Sequence, residues 1–331
     1  MEHPLERLLL HRRSFCAAGL ASLAWRPAQA QGQTGWPNRP ISLVVPFAPA
    51  GSNDIFARAV AQELTTALKQ PVIVENKPGA GSMLGAGQVA KAAADGYTLM
   101  LASSTVTIGG TLKKGLPFDV RRDFTPVALI ARGPLMVVAS PGFPASTPAE
   151  LIALARSAPG KYTFGSSGPG STPQMGMELL TLAAGIRLLH IPYKGGAPVL
   201  NDLMGGQVDL YMGSLPQVLP LVRTGKVKPI GVTSLQHIRQ APEVSPFGDV
   251  LPNFSFEVWW GLFGPGNLPR DIVARLNTEV GKALQTPAMR QYMENEGAVA
   301  GGGSAEQFAA FVAAEVQNWQ TVGKRADISL D

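Results

Sequence analysis

Residues 41–74 read ISLVVPFAPAGSNDIFARAVAQELTTALKQPVIV, and the whole fold class is argued from that stretch. Ile41–Phe47 is an apolar run of the length of a buried strand. Ala48-Pro49-Ala50-Gly51-Ser52-Asn53 is a loop of small residues. Asp54 opens a helix with Ile55, Phe56, Ala59, Val60, Leu64 and Leu68 on one face, and Val72–Val74 is the next strand. Strand, loop, helix, strand is the unit from which a parallel α/β sheet is built.

The unit recurs along the chain. Pro78-Gly79-Ala80-Gly81-Ser82 leads into a small-residue helix through Ala94, and Thr98–Ala102 is a third strand ending in Ser103-Ser104-Thr105. The pattern restarts at the strand Leu135–Ala139. Thr147 then caps a helix with Pro148 in its first turn and Glu150 at the capping-box position. Tyr162–Gly165 and Leu189–Tyr193 are strands, each followed by a Gly-containing loop and a helix, to about Ala184 and to Met204. Asp209–Met212, Lys228–Val232 and Trp259–Gly264 add strands. Two helices are expected to close the chain, Arg270–Leu284 and Ala305–Lys324. The second is capped by Ser304 with Gln307, and Phe308, Phe311, Val312, Val316 and Trp319 share one face. No repeat of fixed period is present.

A chain of 331 residues is long for one core and ordinary for two domains. Charged residues are 15%, low for a globular protein, and the net charge is +5 with no run of Lys or Arg. Nucleic-acid binding is therefore not expected. Arg12-Arg13-Ser14-Phe15 precedes an apolar stretch to Trp25, and Ala28-Gln29-Ala30 gives a small-x-small cleavage pattern. Residues 1–30 thus read as a signal peptide cleaved after about Ala30, exported by the twin-arginine or the ordinary Sec route. The sole cysteine, Cys16, lies inside that segment, so the exported chain is expected to hold no disulfide and no Cys–metal site.

Five loops carry the candidate chemistry: Ala50–Asn53, Gly79–Ser82, Ser103–Thr107, Ser166–Thr172 and Lys194–Gly196. In parallel α/β sheets such carboxyl-end loops line the ligand crevice. A helix start offers unpaired N–H groups and a partial positive charge, so it holds an anion without any arginine. Asp54 has two readings, ordering the loop or water near a ligand, or favouring the helix dipole.

Enzyme readings fare poorly. Beyond residue 30 the only histidines are His190 and His237, and His190 sits in the apolar stretch Leu188–Tyr193 as a core-associated residue. No metal-ligand spacing occurs, so no metal and no cofactor are expected. Gly165-Ser166-Ser167-Gly168 lacks nucleophile-elbow spacing. Gly79-Ala80-Gly81 with Gly85 matches a dinucleotide loop weakly, which leaves an exported NAD-dependent enzyme as the best enzyme alternative.

Six motifs in order resemble one family. They are Pro46-Phe47 through Gly51 with Asp54, Val74-Glu75-Asn76-Lys77-Pro78-Gly79-Ala80-Gly81, Asp95-Gly96-Tyr97-Thr98-Leu99, Tyr193-Lys194-Gly195, Gly206-Gln207-Val208-Asp209 and Trp260-Gly261-Leu262-Phe263. The family is the Bordetella uptake gene (Bug) type of periplasmic receptor, the extracytoplasmic component of tripartite tricarboxylate transporters. The likeness runs from about residue 36 to the end.

The resemblance implies a type II periplasmic-binding-protein fold with a ligand cleft between two α/β lobes, 36–132 plus 255–331 as lobe 1 and 133–254 as lobe 2. It implies a periplasmic, monomeric, non-enzymatic receptor for a small carboxylate, a di- or tricarboxylate or an aromatic acid, with a two-protein membrane permease as partner. A receptor feeding a sensor kinase is the alternative. Carried over by position, the ligand-binding residues are Ala50, Gly51, Ser52, Asn53, Asp54, Ser103, Ser104 and Thr105 on the first lobe. On the second they are Ser166, Ser167, Gly168, Ser171, Thr172 and Tyr193. The chain departs from the family at three places: Ala50-Gly51 replaces Gly-Gly, Gln174 replaces a frequent His, and Gly213 replaces a frequent Asp. Loss of that acid predicts a ligand without a positive amine.

Overall fold

The computed structural model describes residues 35–295, 297–326 and 330, and the architecture below is that of the unit beginning at Arg39. The signal-peptide reading of residues 1–30 lies outside the described residues.

In chain order the elements are β1 Ile41–Val45, α1 Ser52–Leu68, β2 Val72–Asn76, a 3-10 turn Ala80–Ser82 leading into α2 Met83–Ala90, β3 Thr98–Ser103 and α3 Thr105–Leu112. Next come β4 Phe124–Ala139, α4 Pro148–Ser157, β5 Thr163–Ser166, α5 Thr172–Ala184, β6 Leu189–Pro192, α6 Gly196–Met204, β7 Leu210–Ser214, α7 Leu215–Arg223 and β8 Lys228–Val232. The chain ends with β9 Glu257–Pro265, α8 Arg270–Ala283, α9 Pro287–Asn295, β10 Val299–Ala300 and α10 Ala305–Ala326.

The strand order is β2-β1-β3-β9-β4-β7-β5-β6, with β8 and β10 also on β4. β1 runs parallel to β2 and β3, and β5 runs parallel to β6 and β7. To these parallel units the structure adds antiparallel strands: β9 is antiparallel to both β3 and β4, and β7 and β8 are both antiparallel to β4. β4 is the shared spine. Its residues 124–134 pair with β9, and residues 135–139 pair with β7 and β8.

Only the second half of β4 was read from the sequence, because register shifts at Pro126/Ala128 and Leu129/Ala131 break the alternation of the first half. Helix α7 was missed because Pro216 and Pro220 interrupt its pattern. Three helices, not two, close the chain. The missed α9 starts with Thr286-Pro287, the same signal that marked α4, and Thr286 Oγ1 accepts from Met289 N–H at 3.3 Å.

Each half has its own core. On the β1–β3 side, α10 packs Phe308, Val312, Val316 and Trp319, all buried, at helical spacing. Phe308 lies across Gly261, where an added Cβ would overlap its ring, so the glycine of Trp260-Gly261-Leu262-Phe263 makes room for an aromatic plug. On the other side α6 and α7 cover β7 with Val199, Leu203, Val218 and Leu219. In α1 the buried apolar residues are Phe56, Ala57, Val60, Ala61, Leu64 and Leu68, with Ile55 and Ala59 half-buried.

The chain passes between the two strand groups along β4 and returns before β9. One buried side chain ties both passages. Thr233, fully buried, takes Leu135 N–H on its Oγ1 at 2.7 Å and donates to Phe256 C=O at 2.6 Å. Its backbone pairs with the same two residues, N–H to Leu135 C=O and C=O from Phe256 N–H. Among the described residues no helix is long and apolar enough to cross a membrane.

Candidate functional site

The β1–α1 loop is shaped by Asp54. Its carboxylate accepts from Ala50 N–H at 3.1 Å, from Arg58 at 2.9 Å and from Asn76 Nδ2 at 3.0 Å. Burial alone would raise its pKa, but Arg58, the Ala50 amide and Asn76 overcome that and hold it below the ordinary carboxylate value. Of the two readings of Asp54, the hydrogen bonds favour ordering of the loop. Ala50 consequently sits at φ +63°, a conformation that favours glycine. The left-handed region costs a non-glycine residue roughly 1–2 kcal/mol, and glycine gives back about 0.5–1 in unfolded-state entropy. Ala50→Gly is therefore expected to stabilise by about 0.5–1 kcal/mol. Urea unfolding checks this, and a destabilised variant would contradict the loop geometry.

The β5–α5 loop is held in the same indirect manner. Ser166, fully buried, places its Oγ 2.6 Å from His190 Nε2 and takes Gly168 N–H at 3.1 Å. His190 stacks on Phe164 with ring centroids 4.9 Å apart. Burial depresses its pKa, which favours the neutral ring at pH 7. His190 thus supports the loop, in keeping with a core-associated reading, and Gln174 contacts it through Nε2 at 3.3 Å from Nδ1.

These loops enclose a pocket with about 520 Å³ of unfilled space, its open mouth included. Of the expected residues Gly51, Ser52, Asn53, Ser103, Thr105, Ser167 and Thr172 line it. The others stand behind. Ala50 and Asp54 form the loop just described. Ser104 Oγ lies 2.8 Å from Thr172 Oγ1, Gly168 packs against the Tyr193 carbonyl, and Tyr193 donates to Asp202 at 2.8 Å. Ser171 begins α5.

Several lining residues were not among the candidates. Phe47, Ala48 and Pro49 precede the first loop, and Gly195, Gly196 and Ala197 begin α6. Leu135, Pro173, Tyr211, Ser214, Gln217 and Val258 complete the wall. The Lys194–Gly196 loop carried a readable signal. The β7–α7 junction did not, since Gly213-Ser214 is followed directly by Leu215-Pro216 with no small-residue loop between strand and helix.

The pocket is where five helices start. Residues at the N-termini of α1, α3, α5, α6 and α7 all line it, and none of these five starts has a side-chain cap. Away from the pocket, α4 is capped by Thr147 at 3.2 Å and α10 by the reciprocal pair Ser304 and Gln307, while α2 and α8 have no side-chain cap. Uncapped first turns leave N–H donors for a ligand, except that Thr172 N–H is taken by Thr105 Oγ1 and that Pro173 and Pro216 have none, and each helix end carries roughly half a positive charge. No lining residue is Asp, Glu, Lys, Arg or His. The wall itself therefore carries no formal charge, and the helix starts are its positive features. Among the described residues no cluster of three or more His, Cys, Asp or Glu is placed for a metal ion.

A hydroxyl cluster joins the two sides behind the pocket. Thr172 Oγ1 lies 2.8 Å from Ser104 Oγ and 3.0 Å from Thr105 Oγ1, and Thr172 N–H donates to Thr105 Oγ1 at 3.1 Å. Nearby, Gly81 meets Pro169 so closely that a Cβ on Gly81 would overlap the Pro169 carbonyl. Gly81 also has φ +63°, so both its space and its backbone suit glycine.

Comparison with known proteins gives a consistent result. The family model described as tripartite tricarboxylate transporter family receptor matches residues 56–328. The chain is 34% identical over 298 residues to Protein BugT of Bordetella pertussis, covering 89% of this chain and 91% of that one. A Rhodopseudomonas palustris protein solved with adipate superposes with a TM-score of 0.85 at 33% identity, covering 89% and 99%. MatC from Rhodopseudomonas palustris, with bound malate, gives 0.83 at 32%, covering 87% and 99%. The fold is accordingly that of periplasmic binding proteins of the Bug type. The chain belongs to the tripartite tricarboxylate transporter receptor family.

Proposed function

We propose that the protein is an exported receptor that closes two lobes around a small carboxylate and delivers it, unchanged, to a two-protein membrane permease. The observation that carries the reading is the pocket of five uncapped helix starts with no charged side chain in its wall. Five such ends supply positive potential comparable to the charge of a dicarboxylate, at roughly half a unit each. Adipate and malate, the ligands of the two Rhodopseudomonas palustris proteins, are of that class.

In this reading residues 36–132 with 255–331 form lobe 1, and 133–254 form lobe 2. The division is supported by the way β4 changes partners at Leu135. Lobe motion would bend the chain at the two passages tied by Thr233. Residues 1–30 are removed on export to the periplasm, and the receptor works as a monomer without catalysis.

The absence of an acid at Gly213 bears on the ligand. A Cβ there would lie 2.7 Å from Tyr211 Cε1, so the ring of Tyr211 occupies the space. A ligand ammonium would meet no carboxylate in the lining, and the ligand is therefore free of a positive amine. A thermal-shift screen of the purified periplasmic protein against organic acids tests the reading. Ligand at 100 times its dissociation constant adds about 2.7 kcal/mol of stability. Stabilisation by simple carboxylates is expected, while a shift with free amino acids and none with carboxylates would refute it.

A further inference from the structure

The pocket holds hydrogen-bonding groups that a bare carboxylate cannot satisfy. Its donors are the first-turn amides and Gln217. Gln217 Oε1 accepts from Tyr211 OH at 3.0 Å, which turns the two N–H donors of its amide away from that bond. Tyr211 is fully buried, and burial pushes its phenol up to about 12, so it stays a neutral donor. Gly196 leaves the room for this pair, since a Cβ there would overlap Gln217 Nε2 and lie 2.8 Å from Tyr211 OH.

Against these donors stand two polar atoms without partners. Asn53 is 7% exposed and Ser214 is 5% exposed, and both line the pocket. Asn53 Oδ1 and Ser214 Oγ are buried without a hydrogen bond in the protein. Buried polar groups are almost always paired in folded proteins, with protein, water or ligand, so an atom in a binding pocket that the protein leaves unpaired is available to the ligand. The carbonyl oxygen of Asn53 only accepts, and carboxylate oxygens only accept. The missing partner is an O–H. An ammonium could donate too, but its charge would face helix N-termini of the same sign and no acid in the lining.

We infer that the ligand is a hydroxy acid, a carboxylate bearing an alcohol O–H, and that Asn53 and Ser214 are the residues that recognise the hydroxyl. This rests on the carboxylate reading of the pocket. The hydroxyl donates to Asn53 Oδ1 and accepts from Ser214 Oγ, while the carboxylates take the helix-start amides and Gln217. A plain acid of the same length can at best accept from Ser214 Oγ; it leaves Asn53 Oδ1 unpaired and binds more weakly.

Calorimetry with matched pairs tests the inference: propanoate against 2-hydroxypropanoate, succinate against 2-hydroxysuccinate, and glutarate against 2-hydroxyglutarate. In the wild-type protein the hydroxylated member of any pair that binds should be tighter by at least about tenfold. In Asn53→Ala and in Ser214→Ala the ratio of the two dissociation constants should move toward one, whatever the change in absolute affinity. Equal affinities within every pair in the wild-type protein would overturn the inference and leave the carboxylate receptor standing. A ratio unchanged in both variants would also overturn it. Absence of binding by every acid tried would remove the underlying carboxylate reading as well.

Discussion

Replacing Gly51 with Val is expected to lower ligand affinity by at least about a hundredfold, near 2.7 kcal/mol, while the protein still folds. Gly51 is the N-cap of α1 at φ −88° and ψ 170°, an extended conformation open to any residue. A Cβ built there meets only Ala48 C=O, at 3.8 Å. The backbone thus has no objection to a side chain. Gly51 nevertheless lines the pocket beside the first amides of α1, and two methyl groups would stand where the anion must approach. Loss of a favourable cap residue costs at most about 1 kcal/mol of stability. Calorimetric titration and a melting curve on the same sample separate the two effects. Wild-type affinity in this variant would show that the anion does not approach α1.

The second large effect is on stability. Thr233→Val keeps the shape of the side chain and removes its hydroxyl. Leu135 N–H and Phe256 C=O, which that hydroxyl serves at 2.7 and 2.6 Å, would each be left without it at a fully buried position. An unpaired buried backbone group costs about 1–3 kcal/mol, so a total loss of about 2–4 kcal/mol is expected. Urea unfolding should show a lower midpoint with an unchanged slope, since the surface exposed on unfolding is the same. A midpoint equal to the wild type would mean that the two strand passages are not held by this residue. The position matters because this side chain is bonded to both passages between the two strand groups.

Much of the site was legible because small residues at strand ends leave a local signature. Ala50–Asn53, Ser103–Thr105 and Ser166–Thr172 were recognised as a Gly/Ser/Thr loop before a helix, and each contributes to the pocket wall. Gln217 and Tyr211 could not be found that way. Tyr211 is an ordinary aromatic in a buried strand, and Gln217 sits on a helix hidden by Pro216 and Pro220. The candidates that stand behind the pocket share a cause. Asp54, Ser166 and Tyr193 are polar residues in the right loops, but their side chains are engaged by Arg58, His190 and Asp202. A sequence shows which residues can bind, and only long-range partners show which are already bound.

The fold follows the same division. Parallel units were read from local pattern, since β1, α1 and β2 succeed one another within residues 41–76. The antiparallel spine was not, because β4 and β9 pair across more than a hundred residues and β4 carries two register shifts. The alternation that would have marked its first half is broken by the shifts at Pro126/Ala128 and Leu129/Ala131, within its pairing with β9.

A crystal structure with a bound carboxylate is the most direct measurement of the central claim. The account predicts carboxylate oxygens about 2.7–3.2 Å from backbone amides at the starts of α1 and α6, around Ser52–Asn53 and Gly196–Ala197. An acid gripped chiefly by arginine, lysine or a metal ion, or seated outside this pocket, would contradict it.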